Sequence, residues 1–187
     1  MFQIVKVLLQ HSSPEIRLKE DSCGSIPLFN AIESGNNNIC KELLSVKSQE
    51  QVLHTKQPLG DTAMHLAARR RDSALMKTLI EAGAHVDTQN TEGQTVMHLT
   101  CIQGDEGCLR VLFMAKANCS IGDSEQRTPI HLAAERGFTR LVKIFLFVHL
   151  GFKPVLLNDK PFNMMPLITQ VICIVECIAL IIKSDVF

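Results

Sequence analysis

The chain has 187 residues, 19 basic and 19 acidic side chains and a net charge of zero. That balance excludes a binder driven by phosphate attraction, which needs clustered Lys and Arg, so no nucleic-acid partner is expected. Seven cysteines are scattered without a CxxC pair, so neither zinc nor another metal is expected. Cys101 and Cys108 read as reduced, buried small hydrophobes of a cytosolic protein.

Taken in chain order, residues 1–11 are predicted to form a helix. Ile4-Val5 and Leu8-Leu9 share an i, i+1, i+4, i+5 pattern with Leu75-Met76 and Leu79-Ile80, with Cys108-Leu109 and Leu112-Phe113, and with Leu141-Val142 and Phe145-Leu146. That pattern is one apolar helical face. The run is too short and broken for a signal peptide, and no small-residue cleavage site follows it. Residues 12–23 read as a loop opened by Ser12-Ser13-Pro14. Helices are predicted near 27–34 and 37–46, with a short helical turn around 49–53. Further pairs are predicted near 63–70 and 73–82, near 96–103 and 106–115, and near 129–136 and 139–147. Gly83 closes the second helix of its pair as a C-cap. Gly35, Gly104 and Gly137 separate the two helices of three pairs, at a place that often calls for positive φ. Arg71 stands there in the remaining pair, within Arg69-Arg70-Arg71. The arginine run reads either as a solvated helix end that complements the helix dipole or as a basic patch for an acidic partner or lipid phosphate, and the first reading is the simpler.

The first helices of these pairs carry a recurring motif. Gly60-Asp61-Thr62-Ala63-Met64-His65-Leu66-Ala67-Ala68 returns thirty-three residues later as Gly93-Gln94-Thr95-Val96-Met97-His98-Leu99-Thr100-Cys101. It returns again, at the same interval, as Gln126-Arg127-Thr128-Pro129-Ile130-His131-Leu132-Ala133-Ala134. A weaker copy, Gly24-Ser25-Ile26-Pro27-Leu28-Phe29-Asn30-Ala31-Ile32, lies thirty-six residues upstream of the first. A fixed period of this length with Thr-Pro-Leu-His-x-Ala resembles the ankyrin repeat. Thr62, Thr95 and Thr128 stand where a helix begins and can cap an orphan backbone N–H. Pro129 takes the first helical position, where a missing N–H is harmless. His65, His98 and His131 lie one per repeat, too far apart along a stack to share a metal. The resemblance implies that each bonds its motif threonine and neighbouring backbone.

The expected fold is an all-α ankyrin-repeat solenoid with an apolar C-terminal tail. Its expected divisions are 1–11, the second helix of a truncated repeat; 24–57, a divergent repeat; 58–90; 91–123; 124–147, an incomplete repeat; and 148–187, a non-repeat tail. A chain that starts halfway through a repeat is expected to be a fragment, since solenoids normally begin with a polar capping unit. Within the tail, Leu167 to Ile182 is an apolar stretch interrupted by Thr169, Gln170 and Glu176. It reads as a helix covering the end of the stack, as a sequence never selected to fold, or as a membrane segment. Its length and its glutamate disfavour the last.

The wider pattern resembles the ankyrin region of the TRPN (NompC-type) mechanosensory channels. That resemblance is carried by His11-Ser12-Ser13-Pro14-Glu15-Ile16-Arg17-Leu18, Gly24-Ser25-Ile26-Pro27-Leu28-Phe29, Glu33-Ser34-Gly35-Asn36 and His65-Leu66-Ala67-Ala68-Arg69-Arg70-Arg71-Asp72. Glu92-Gly93-Gln94-Thr95, Gly104-Asp105-Glu106 and Arg127-Thr128-Pro129-Ile130-His131-Leu132-Ala133-Ala134-Glu135 add to it. It implies a cytosolic tether or gating spring of a TRP-type cation channel, bound to cytoskeleton or to neighbouring channel subunits. On that view the chain meets the membrane only through a parent channel, at the cytoplasmic face of the plasma membrane. The alternative is a free-standing, cytoplasmic ankyrin adaptor. Either way a protein partner is expected on the concave face and loop tips, with His85, Asp87, Gln89, Asn90, Asn118 and Ser120 as candidates. No cofactor, small-molecule substrate or enzymatic activity is expected, because the sequence shows neither a Gly-rich phosphate loop nor a serine nucleophile elbow.

Overall fold

The computed structural model describes residues 14–45 and 49–149, and all their regular elements are helical. The predicted helix at 1–11 and the tail beyond His149, including 167–182, lie outside the described residues. A single 3-10 turn, Pro14–Arg17, stands inside the segment expected to be loop and carries the buried Arg17. Then come α1 (Pro27–Glu33), α2 (Asn37–Leu44), α3 (Gln49–His54), α4 (Ala63–Arg69), α5 (Ser73–Glu81), α6 (Val96–Gln103), α7 (Glu106–Met114), α8 (Pro129–Glu135) and α9 (Thr139–His149). These bounds follow the predicted helices to within two residues, and α9 runs through His149, past the expected repeat boundary. No described helix is long and apolar enough to cross a membrane.

The helices form two layers. The first helices of the pairs, α1, α4, α6 and α8, stack in one layer, and the second helices, α2, α5, α7 and α9, in the other. The apolar stripe of the outer layer explains why. Leu75, Met76 and Leu79 of α5, Cys108, Leu109 and Leu112 of α7, and Leu141 and Phe145 of α9 are buried at matching positions. Each such side chain contributes roughly 1.5–3 kcal/mol when fully removed from water. Ile80, Phe113 and Val142, on the flank of the stripe, are half-buried. Phe113 meets Phe145 of the next repeat edge to face, with ring centroids 5.1 Å apart. In the inner layer α4 buries the small side chains of Ala63, Ala67 and Ala68, which let its neighbours approach closely.

Between inner and outer helix the chain turns through one left-handed residue: Gly35, Arg71, Gly104 and Gly137, with φ of 74°, 56°, 73° and 72°. Two of the outer helices, α5 and α7, are then capped by a carboxylate. Asp72 Oδ1 accepts the Leu75 N–H at 2.8 Å, and Asp105 Oδ1 accepts the Cys108 N–H at 2.9 Å, as expected of a side chain at the N-cap.

Candidate functional site

Each motif threonine is paired with the histidine three residues on. The Thr62 N–H donates to His65 Nδ1 at 3.2 Å, and the Thr62 hydroxyl lies 2.9 Å from the same nitrogen. Thr95 and His98 repeat this at 3.0 and 2.9 Å, Thr128 and His131 at 3.2 and 2.7 Å. Because Nδ1 accepts a backbone N–H, the ring proton sits on Nε2. That second nitrogen reaches the next repeat: His65 Nε2 donates to the Gln94 carbonyl at 3.1 Å, His98 Nε2 to the Arg127 carbonyl at 2.9 Å. Burial lowers the pKa of both His65 and His98 below the ordinary 6.5, so they are neutral at pH 7, when one nitrogen must accept and the other donate. His65 and His98 therefore join successive repeats, and both nitrogens of each ring are occupied.

A second set of bonds joins the loop tips. Residues 57–60, 90–93 and 123–126 form equivalent turns, each closed by a bond from the fourth N–H to the first carbonyl, for example Gly93 to Asn90 at 3.0 Å. The Thr91 N–H donates to the Leu59 carbonyl of the preceding tip at 3.2 Å, and the Ser124 N–H to the Glu92 carbonyl at 3.1 Å. The hydroxyls of Thr91 and Ser124 bond the same two carbonyls. Tip therefore lies on tip so closely that a Cβ on Gly60 would stand 2.7 Å from Thr91 N, and one on Gly93 2.7 Å from Ser124 N. Only glycine fits there.

Buried acids stabilise these tips. Asp123 accepts the backbone N–H groups of Glu125 and Arg127, each at 2.9 Å, and pairs with the Arg127 guanidinium at 2.9 Å. Burial alone would raise its pKa; the Arg127 backbone and side-chain bonds outweigh that and hold it below the ordinary carboxylate range. Asp61, also buried, pairs with Arg69 at 2.9 Å and accepts Asn90 Nδ2 at 3.0 Å.

The arginine run is distributed over three repeats. Arg69 pairs within its own repeat, Arg70 donates to the Glu33 carbonyl of the preceding repeat at 2.6 Å, and Arg71 to the Gln103 carbonyl of the following one at 2.8 Å. Beyond complementing a helix end, these side chains fasten neighbouring units together.

The structure separates the candidate contact residues. Asn90 is 8% exposed, its Nδ2 held by Asp61 and its Oδ1 by the Glu92 and Gln94 N–H groups, so it shapes the tip from within. His85, Asp87, Gln89, Asn118 and Ser120 are exposed. Of these, His85 stacks on His54 with centroids 4.4 Å apart, Asp87 accepts the Asn118 N–H, and Gln89 Nε2 donates to the Gly93 and Gly122 carbonyls. Leu59, at the outermost point of its tip, is 70% exposed and was not singled out from sequence. The signal was available: an apolar side chain occupies the place that glutamate holds in the next two turns, Glu92 and Glu125.

Among the described residues no three His, Cys, Asp or Glu side chains converge as metal ligands. Burial pushes the Cys40 thiol up to about 11 and the Cys108 thiol up to about 12, and raises that of Cys101 as well, so these are thiols rather than thiolates at neutral pH. No curated protein matches the chain. The family model for ankyrin repeats (three copies) matches residues 1–90 and 64–158. With the paired helices, the stacked tips and the threonine–histidine pairs in place, this chain belongs to the ankyrin-repeat family.

Proposed function

We propose that this chain binds its protein partner along the strip of loop tips and serves as part of the cytosolic tether of a TRP-type mechanosensitive cation channel. The observation that carries the binding surface is the fixed, outward-facing tip row. Leu59, Thr91, Glu92, Ser124 and Glu125 are exposed, while the backbone beneath them is held by bonds from tip to tip. A surface ordered in advance loses little conformational entropy on binding, and an exposed leucine amid polar neighbours suits an anchor with a polar rim. The tether role is supported by the resemblance to TRPN repeats and by the bonds that join each repeat to the next. A free-standing adaptor would use the same tips equally well.

A photocrosslinking residue placed at Leu59 or Glu92 of the full chain should capture one discrete protein in cells. The same residue at Lys77, on the outer helix α5, should not, and Leu59→Asp should abolish capture from Glu92. Capture from Lys77 alone would overturn the tip surface. A tether further predicts that the captured protein is cytoskeletal or a channel subunit, and that the transcript read across codons 140–160 continues in frame toward a six-helix pore. A transcript that lacks the pore would leave the adaptor.

A further inference from the structure

Three described junctions join repeat to repeat, and the first is made differently. At the junction of 58–90 with 91–123, His65 donates to the Gln94 carbonyl, Thr91 to the Leu59 carbonyl, and Asn90, which opens the tip of the following repeat, to Asp61. At the junction of 91–123 with 124–149, His98 and Ser124 repeat the first two. At the junction of 24–57 with 58–90 each of those donors or acceptors is replaced. Phe29 stands in the place of the histidine and has nothing to donate, with Ile26 in the place of the threonine. Pro58 stands in the place of Thr91 and Ser124 and has no N–H. Ser25 stands in the place of Asp61, and its buried hydroxyl has no partner.

Geometry agrees with chemistry. A Cβ on Gly24 would find the Pro58 ring no nearer than 3.5 Å, an ordinary contact, where the same test at Gly60 and Gly93 gives 2.7 Å to the next tip's backbone. Across the first junction lie the fully buried Ile26 and Phe29 with three polar bonds: two exposed ones, Arg70 to the Glu33 carbonyl at 2.6 Å and Gln57, which opens the next tip, to Glu33 at 3.3 Å, and the part-buried Asn37 to Asp72 at 2.7 Å. Apolar adhesion is non-directional, and bonds between exposed groups exchange readily with water. The other two junctions add a directional bond from a buried histidine and a backbone N–H bond at the tip.

We propose that the junction between 24–57 and 58–90 is a built-in release point, at which the stack parts first while the later junctions stay closed. Two independent features mark it, the missing histidine donor in the inner layer and the missing N–H at the tip. The release point stands on its own whether or not the partner is a channel. In a tether it would give the chain one low-force opening in series with stiffer junctions. In an adaptor it would allow the first described repeat to swing.

Native-state hydrogen exchange on the full chain, read by mass spectrometry, tests this. The amides of α1 and α2 should exchange at least about tenfold faster than those of α6 and α7, as expected when one or two net hydrogen bonds are missing from an interface. Equal protection of the two blocks would overturn the proposal. Fraying from an end also predicts the faster exchange, so two variants separate the causes. Ile26→Thr/Phe29→His/Pro58→Thr, which restores the pattern of the later junctions, should slow exchange in α1 and α2 by about tenfold; a folded variant with unchanged exchange would overturn the proposal. His65→Phe/Thr91→Pro transplants the weak pattern one junction on, and residues 27–81 should then exchange as one block. Should the restored variant not fold, the transplanted one decides, and unchanged protection of α4 and α5 there would refute the release point.

Discussion

His98 shows how one side chain serves both local and long-range structure. It closes the start of α6 through Thr95 and, with its other nitrogen, holds the Arg127 carbonyl of the next repeat. His98→Ala should therefore cost roughly 1–3 kcal/mol in a denaturant titration, because buried donors and acceptors lose their partners, and divalent-metal binding should not change. The same pair predicts a pH dependence. Burial lowers the folded-state pKa of His65 and His98 below 6.5, the ordinary value that the unfolded chain keeps. Below that value the unfolded state binds more protons than the folded one, so their contribution is complete above pH 6.5 and is lost as pH falls from there through the folded-state values. Thermal melts at about pH 7.5 and about pH 5.5 should show the lower midpoint at the acid value, with the difference reduced in His98→Ala. Glycines are graded in the same way. Gly93→Ala meets both a left-handed φ of 71° and the Ser124 nitrogen, whereas Gly137→Ala meets a φ of 72° and open space. The first should lower stability by about 2–3 kcal/mol and the second by about 1 kcal/mol.

At the scale of elements, helix positions were readable because the apolar stripe and the capping residues mark them locally. Leu75, Met76 and Leu79 and their equivalents are buried where the periodicity put them. Bonds between repeats were much less legible. Asn90 looks like any polar loop residue in sequence, and only stacking shows that its amide is consumed by Asp61. The tip turns were obscured because their first residue changes from Gln57 to Asn90 to Asp123 and their last from Gly93 to Gln126. Arg71 illustrates the division. Its left-handed φ of 56° follows from alignment with Gly35, Gly104 and Gly137, but its bond to the Gln103 carbonyl does not. Glycine at 71 would relieve roughly 1 kcal/mol of backbone cost and forfeit an exposed bond of similar worth. Arg71→Gly should thus leave the midpoint of urea unfolding nearly unchanged; a large loss would show that the guanidinium fastens the repeats more strongly than one exposed bond.

For the whole molecule, stability rests on interfaces between repeats, since no single helix pair encloses its own core. Those interfaces combine a continuous apolar cluster with a row of buried imidazoles and a row of backbone tips. Motif residues thereby serve the scaffold and leave the outward tip side chains for a partner. The most direct test of this claim is the protonation state of the histidines in the intact chain, observed by nitrogen-15 NMR of the imidazole rings at neutral pH. His65 and His98 should each be neutral, with the proton on Nε2, a bare Nδ1, a hydrogen-bond coupling from Nε2 into the following repeat, and no change on adding zinc. A proton on Nδ1, a charged imidazolium at pH 7, or a shift of these rings with stoichiometric zinc would contradict it.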